Sequence, residues 1–376
     1  MRSSPAGALN AAGRSLDRLV DATPPTRDRT VDLLRAFSIG VVVVWHWVLS
    51  VTHRVDGELV MANPIDDVPL AWLATWLLQV MPLFFLVGGF ANLAAWGSAP
   101  SAGVFLRGRL TRLLGPTAVF VGVWAVVETT LLLAVPGYPG VLSYGLVTFV
   151  PLWFVAAYVW VVLLVPLTAA AHRRAPLAAV ALLGAAVVAA DVGRFGAGLE
   201  VLGLVNTALV WVFVHQLGYF WHDGALDGPA RAGALAAVGL AGLVAVALLA
   251  VYPRSMVATV SDELSHMFPT TAGIGALAVF QLGVVLLLMP TLRRFTACRR
   301  VWKGVVAANA VIMTVFLWHT TALLIAIGLF EWAGLPLLAE PTATWWALRP
   351  LWLVVPGLLL TVLVAAFIRF EIGKRR

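Results

Sequence analysis

Charge and cysteine are what this sequence has least of. Only 11% of its 376 residues are charged, and Cys298 is its single cysteine. A lone cysteine excludes an internal disulfide framework and a cysteine-rich metal centre; it reads as an idle loop thiol. The chain has no Walker or Rossmann glycine pattern and no pair of histidines at the spacing of a helical metal site, so no metal is expected. No early stretch joins a basic start to a short apolar core and a small-residue cleavage site, and the first apolar run is expected to do the targeting itself. A net charge of +7 would suit nucleic acid if it were gathered on one face. Here the charges sit in the connections between apolar runs, and no nucleic-acid partner is expected.

What is abundant is apolar side chain. Hydrophobic residues make up 61% of the chain and the mean hydropathy is +0.95, more than a water-soluble core can hide. Apolar runs of about 20 residues recur along the whole length. Each suffices to cross a hydrocarbon layer of roughly 30 Å as a helix, which satisfies its own backbone there. The pattern predicts an all-α, multi-pass membrane bundle of about ten helices, surrounded by lipid, at 35–52, 70–95, 113–135, 151–170, 176–192, 201–221, 232–252, 271–290, 305–330 and 350–369. Residues 1–29 mix Ser, Pro, Ala and Arg without clear periodicity and read as a mostly disordered tail, with a short amphipathic helix around Leu16 to Val20. Residues 30–370 then form the transmembrane domain, and 371–376 a basic tail.

Of the 25 Lys and Arg residues, all but Arg54, Arg194, Arg254 and Arg349 fall on one set of alternate connections once ten spans are drawn. Short cytoplasmic loops retain such residues. Both termini are therefore expected in the cytoplasm, and the loops carrying Asp56, Glu58, Asp66, Asp67, Asp262 and Glu263 outside. Trp345, Trp346 and Trp352 read as interfacial anchors.

An ionisable group inside a span is costly in hydrocarbon, so each one is a functional candidate. His46, Glu128, His215 and His319 are such groups, with Arg35 at the start of the first span. Eleven helical steps put the His46 imidazole roughly 16 Å from the Arg35 guanidinium, near mid-membrane and on nearly the same helix face. In one shared groove, the Arg at the mouth could pair with phosphate and the deeper His could act as a general base. A His bonded to a neighbouring helix beneath a snorkelling Arg gives the same pattern without chemistry. Arg107, Arg109 and Arg112 read either as phosphate ligands or as positive-inside retention. Glu128 reads equally as an acid that polarises a His or a hydroxyl and as a protonated structural acid. His319 reads as a group that orients a substrate or assists His46, or as an interhelical bond. His266 and Asp262 read as exposed loop residues, and His53, His172 and His222 as interfacial. Gly88 and Gly89 read as close-packing positions.

The stretch Arg29-Thr-Val-Asp32-Leu-Leu-Arg35 through His46 resembles the opening signature of the acyltransferase 3 family, an Arg followed by ten residues and a His. Met81-Pro-Leu-Phe-Phe-Leu-Val-Gly88-Gly89-Phe90 is similar to the family's second helix, although many members carry Ser where Gly88 stands. Arg107-Gly-Arg109-Leu-Thr-Arg112, closing at Pro116, resembles its Arg-x-x-Arg segment. Leu152-Trp153-Phe154 resembles the start of its fourth helix, and Phe316-Leu-Trp318-His319 a late aromatic motif ending in His. The resemblance implies transfer of an acyl group, commonly acetyl, from cytoplasmic acyl-CoA to a hydroxyl of a cell-envelope glycan, lipid-linked sugar or related acceptor at the far face of the cell membrane. It implies His46 as the catalytic residue with Arg35 as its partner, and Arg109, Arg112 and Arg107 at the phosphates of CoA. His319 and Glu128 are then expected toward the acceptor. A transporter or flippase that moves a substrate without chemistry is the competing reading; two related halves with interrupted helices would favour it, and the sequence has no internal repeat.

Overall fold

The computed structural model describes residues 16–65, 68–141, 146–258 and 264–372. The first 15 residues of the expected tail, the last four of the chain, and Asp66, Asp67, Asp262 and Glu263 lie outside the described residues.

Among the described residues ten helical segments are long and apolar enough to cross a membrane, and each overlaps one of the runs that hydropathy marks. The first is α1 (Arg29–Val44), prolonged by a π-turn at Trp45–Leu49. The second is broken into α2 (Ala71–Leu78) and α3 (Met81–Ser98), and α4 (Ala102–Ala134) is the third. There follow α5 (Val150–Arg174), α6 (Pro176–Ala197), α7 (Val201–His222), α8 (Pro229–Leu248) and α9 (Ala272–Ala297). A surface helix α10 (Arg299–Ala310) precedes the last two spans, α11 (Ile312–Trp332) and α12 (Ala343–Phe367). The run read as one span at 305–330 is thus two helices that meet at Val311. An even number of crossings returns both termini to one end of the bundle.

The spans sort into a centre and a rim. α3, α7, α9 and α11 are mostly buried, whereas α4, α6, α8 and α12 leave most of their apolar surface outside, as spans facing lipid do. Glycine sets the central crossings. A Cβ on Gly89 would collide with the His215 carbonyl and one on Gly218 with the Leu86 carbonyl, so α3 and α7 touch backbone to backbone. Gly239 and Gly283 do the same for α8 and α9. With little hydrophobic driving force in lipid, such close approach supplies the packing energy.

At the end shared by the termini, residues 16–21 form a helical turn that docks on α10. Val20 packs on Trp302 and Val305, Lys303 pairs with Asp17 at 2.8 Å, and Arg299 pairs with Asp21. The second half of the expected disordered tail is therefore ordered, because α10 offers both an apolar stripe and two cations. At the opposite end, Val51–Val55 and Glu58–Ala62 form an antiparallel hairpin. Its two-residue turn places Asp56 and Gly57 at positive φ of 50° and 87°, which matches the right-handed twist of the strands.

Candidate active site

A cavity of about 510 Å³ opens at the end opposite the termini. His46 and His319 lie together in its wall, with Trp45, Ser50, the α2–α3 break and the first turn of α5 around them. The break arises at Gln79, whose extended backbone ends α2 ahead of Pro82 in the first turn of α3. Its carbonyl accepts the Gln281 side-chain N–H at 2.8 Å, and its own Oε1 accepts the Met81 N–H at 3.1 Å.

The two imidazoles form a relay whose tautomers follow from its ends. His319 Nδ1 is 2.6 Å from the Phe316 carbonyl, which can only accept, so Nδ1 carries the proton. Its Nε2 is then a lone-pair acceptor, 2.9 Å from His46 Nδ1, and His46 donates to it. That leaves His46 Nε2 as a bare acceptor with no hydrogen-bond partner among the described residues. The rings lie nearly parallel, at 16°. A neutral imidazole with an open Nε2, backed by a second imidazole that favours its protonated form, has the arrangement that general-base chemistry requires.

Backbone holds this pair in place. The Trp47 indole donates to the His319 carbonyl at 3.0 Å, tying the π-turn to α11. The Ser50 N–H bonds to the Trp45 carbonyl, an i to i−5 step that closes the wider turn holding His46. His46 stands three residues before the end of its span and meets His319 seven residues into α11. Arg349, buried in α12, donates to the Ser50 and Val48 carbonyls at 3.4 and 3.5 Å and lies between the rings of Trp345 and Trp352. Drawing the last span from 350 makes Arg349 an outer-loop charge; the helix starts at Ala343 and carries it inside. Its signal was present in the sequence, as tryptophans four residues before and three after an arginine on one helix face.

The arginines gather at the other end. Arg35 is outside the cavity, 3.2 Å from Asp32, which also pairs with Arg27 at 2.5 Å. Arg109 donates to the Ala91 carbonyl at 2.7 Å and lies within electrostatic range of Arg35 and Arg112; Arg107 and Arg112 are exposed. All three of the latter sit on the first turns of α4, whose 33 residues span about 50 Å and outrun the hydrocarbon layer. Next to them Asn92 bonds both His215 Nε2, at 3.1 Å, and the Tyr158 hydroxyl, at 3.3 Å. A column of rings runs from there toward the histidines: Tyr158 to Phe154 at 5.7 Å between centroids, Phe154 to Phe316 at 4.9 Å, and Phe316 to His319 at 5.9 Å.

A family model described as an acyltransferase domain matches residues 28–370. The chain belongs to the acyltransferase 3 family. It is a multi-pass membrane acyltransferase, moving acyl groups other than aminoacyl groups. No curated protein and no solved structure matches it.

Three expectations for this acyltransferase need correction. His266 is buried, not exposed: its Nε2 bonds the Pro253 carbonyl at 2.8 Å, its Nδ1 bonds the Thr271 hydroxyl, and Tyr252 stacks on it. Burial pushes its pKa down to about 4. His172 is likewise buried, between Gln216 and Asp223 at 2.9 and 3.1 Å. Glu128 stands away from the cavity, where its carboxylate accepts the Val141 N–H at 2.9 Å and the Tyr138 hydroxyl at 3.0 Å and so anchors the loop after α4.

Proposed function

We propose that this acyltransferase moves an acyl group, acetyl in the first instance, from acyl-CoA at the arginine-bearing face to a hydroxyl in the cavity at the other face of the cell membrane. The open Nε2 of His46 in the His46–His319 relay carries this reading. His46 removes the acceptor's hydroxyl proton as its oxygen attacks the thioester carbonyl. The tetrahedral adduct expels CoA thiolate, which takes the proton from His46, so that ester and free thiol leave together and the relay returns to its starting state. His319 accepts a hydrogen bond from His46 throughout and stabilises the transient imidazolium.

Arg35, Arg109 and Arg112 supply clustered cationic groups for a polyanionic donor, since guanidinium pairs with phosphate in a bidentate fork. Roughly 16 Å of helix separates Arg35 from His46, a distance the donor's arm must bridge. The acceptor is drawn from the hydroxyl compounds of the cell envelope, a glycan, a lipid-linked sugar or a related molecule. The broken second span would also suit a transporter; family membership favours chemistry.

The test supplies labelled acetyl-CoA to membranes holding the full-length protein and follows label into glycan and lipid fractions. His46→Ala is expected to lower transfer by roughly 10²–10⁴-fold, the usual worth of a general base, with the protein still present and folded. Transfer at the wild-type rate would remove His46 from the mechanism.

A further inference from the structure

The lining of the cavity narrows the acceptor. Among the described residues no Asp, Glu, Lys or Arg lines it. Asn63 spends its Oδ1 on the Trp45 indole and its Nδ2 on the Ala258 carbonyl, both at 2.7 Å, and Gln79 spends its Oε1 on Met81. The remaining lining is mostly aliphatic, ring and thioether, with Met61, Met81, Met267, Phe154 and Phe316 in it and the Ser50 hydroxyl and Gln79 Nε2 as further polar ends, and methionine walls adapt to irregular apolar shapes. A sugar ring here would leave most of its hydroxyls without partners, a penalty that such walls cannot offset. An alcohol with one hydroxyl on a hydrocarbon body leaves none, because that hydroxyl meets His46.

The way in points to the same class. Trp153 lines the cavity and is 39% exposed, and Phe268 lines it and is 67% exposed. Along α5 the residues at seven-residue steps from Trp153 are Trp160 and Leu167, both exposed. Seven residues is close to two turns, so the three form one stripe, and exposed apolar stripes on a span are its lipid face. The cavity wall thus continues into the lipid-facing surface at Trp153. The volume of about 510 Å³ falls among small-molecule sites of roughly 300–1,000 Å³.

Resting on the acyl-transfer reading, we infer that the acceptor is an apolar alcohol dissolved in the bilayer, which enters sideways between Trp153 and Phe268 and presents its hydroxyl to His46. Among the hydroxyl compounds of the envelope, this lining favours lipid-soluble ones over hydrated glycans. The donor's acyl chain is the competing occupant of an apolar cavity. A two-carbon acetyl group, whose thioester must also reach His46, leaves the rest of the cavity to the acceptor.

The test uses full-length protein in phosphatidylcholine vesicles with a diazirine-bearing long-chain alcohol as probe. Photolabel is expected on cavity residues such as Met61, Phe154 and Met267, displaced by unlabelled apolar alcohol but not by hexadecanoyl-CoA or glucose. Two variants at exposed positions, Ala258→Trp, which fills the mouth, and Phe268→Glu, which places a charge in it, should each reduce cavity labelling at least tenfold. Labelling confined to Trp160 and Leu167 would overturn the inference, as would displacement by hexadecanoyl-CoA or by glucose. A parallel assay with labelled acetyl-CoA separates the two levels. Transfer to the apolar alcohol at least tenfold above glucose supports both, and transfer to glucose without cavity labelling defeats the site while leaving acyl transfer standing. Cavity labelling without transfer to any acceptor supports the site and defeats the reaction.

Discussion

His46 owes its protonation state to His319, and His319 owes its own to one carbonyl. Because Phe316 can only accept, the order of protons along the chain has a single consistent arrangement, with the lone pair of His46 Nε2 left open. His319→Gln can keep an acceptor opposite His46, whereas His319→Phe cannot. Transfer is expected to fall by roughly 10²-fold or more in the Phe variant and less in the Gln variant, with the KM for acyl-CoA unchanged in both. Equal losses in the two would show that His319 acts through packing alone. Arg349 is a positioning residue in the same assembly, because it holds the carbonyls at the end of the π-turn and touches no reacting atom. Lysine keeps the charge but lacks the planar fork and stacks poorly between two indoles. Arg349→Lys is therefore expected to lower kcat about tenfold with little change in KM or thermal midpoint; a rise in KM with kcat unchanged would refute that role. His46 was legible in the sequence because an ionisable group in an apolar run stands out. Arg349 was legible only through its flanking tryptophans, since a span boundary drawn seven residues late turns a buried cation into a loop charge.

At the scale of elements, hydropathy located every span, because lipid imposes one length and one polarity on all of them. It could not locate the break at Gln79, the π-turn or the division at Val311, which depend on contacts between distant segments. The α3–α7 crossing was partly legible, in that small residues announced close packing without naming the partner. Gly89→Ala is expected to cost about 1–3 kcal/mol of overpacking, seen as a lower midpoint in thermal unfolding, because backbone on α7 cannot yield as a flexible side chain would. The segment before α9 was misread for the opposite reason. His266 belongs to a polar loop, yet that loop folds inward where Asp191 accepts hydrogen bonds from Asn206, Tyr252 and the Ala272 N–H at 2.6 to 2.8 Å. With a folded pKa of about 4 against an ordinary value near 6.5, the unfolded state binds the extra proton between those two pH values. Stability from this site is thus full above pH 6.5 and is lost as pH falls toward 4. Lowering the pH from 7 to 5 should cost on the order of 2 kcal/mol, read as faster hydrogen exchange in residues 264–271; His266→Asn should flatten that dependence. An unchanged profile in the wild-type protein would mean that His266 stays solvated.

The whole molecule is polar from end to end, with cations gathered at the face of the termini and an apolar cavity at the other, and the direction of the reaction rests on which face meets the cytoplasm. The distribution of Lys and Arg predicts that from sequence, and Arg194 and Arg349, two of its four exceptions, are buried inside spans rather than in loops. Their removal strengthens the bias. The single cysteine turns orientation into a measurement. Cys298 is exposed, between α9 and α10 at the arginine face, and the Val301 and Arg300 N–H groups at the start of α10 lower its thiol pKa, which favours the reactive thiolate. A membrane-impermeant maleimide should label it in inside-out vesicles and not in intact cells. External acetyl-CoA should support transfer in the same inside-out vesicles only, with Arg112→Ala raising its KM several-fold while kcat holds. Labelling from outside the cell would invert the bundle and, with it, the direction of acyl flow. Labelling from inside combined with acetyl-CoA use from outside would detach the arginine face from the donor, because both observations report on the same end of one rigid set of helices.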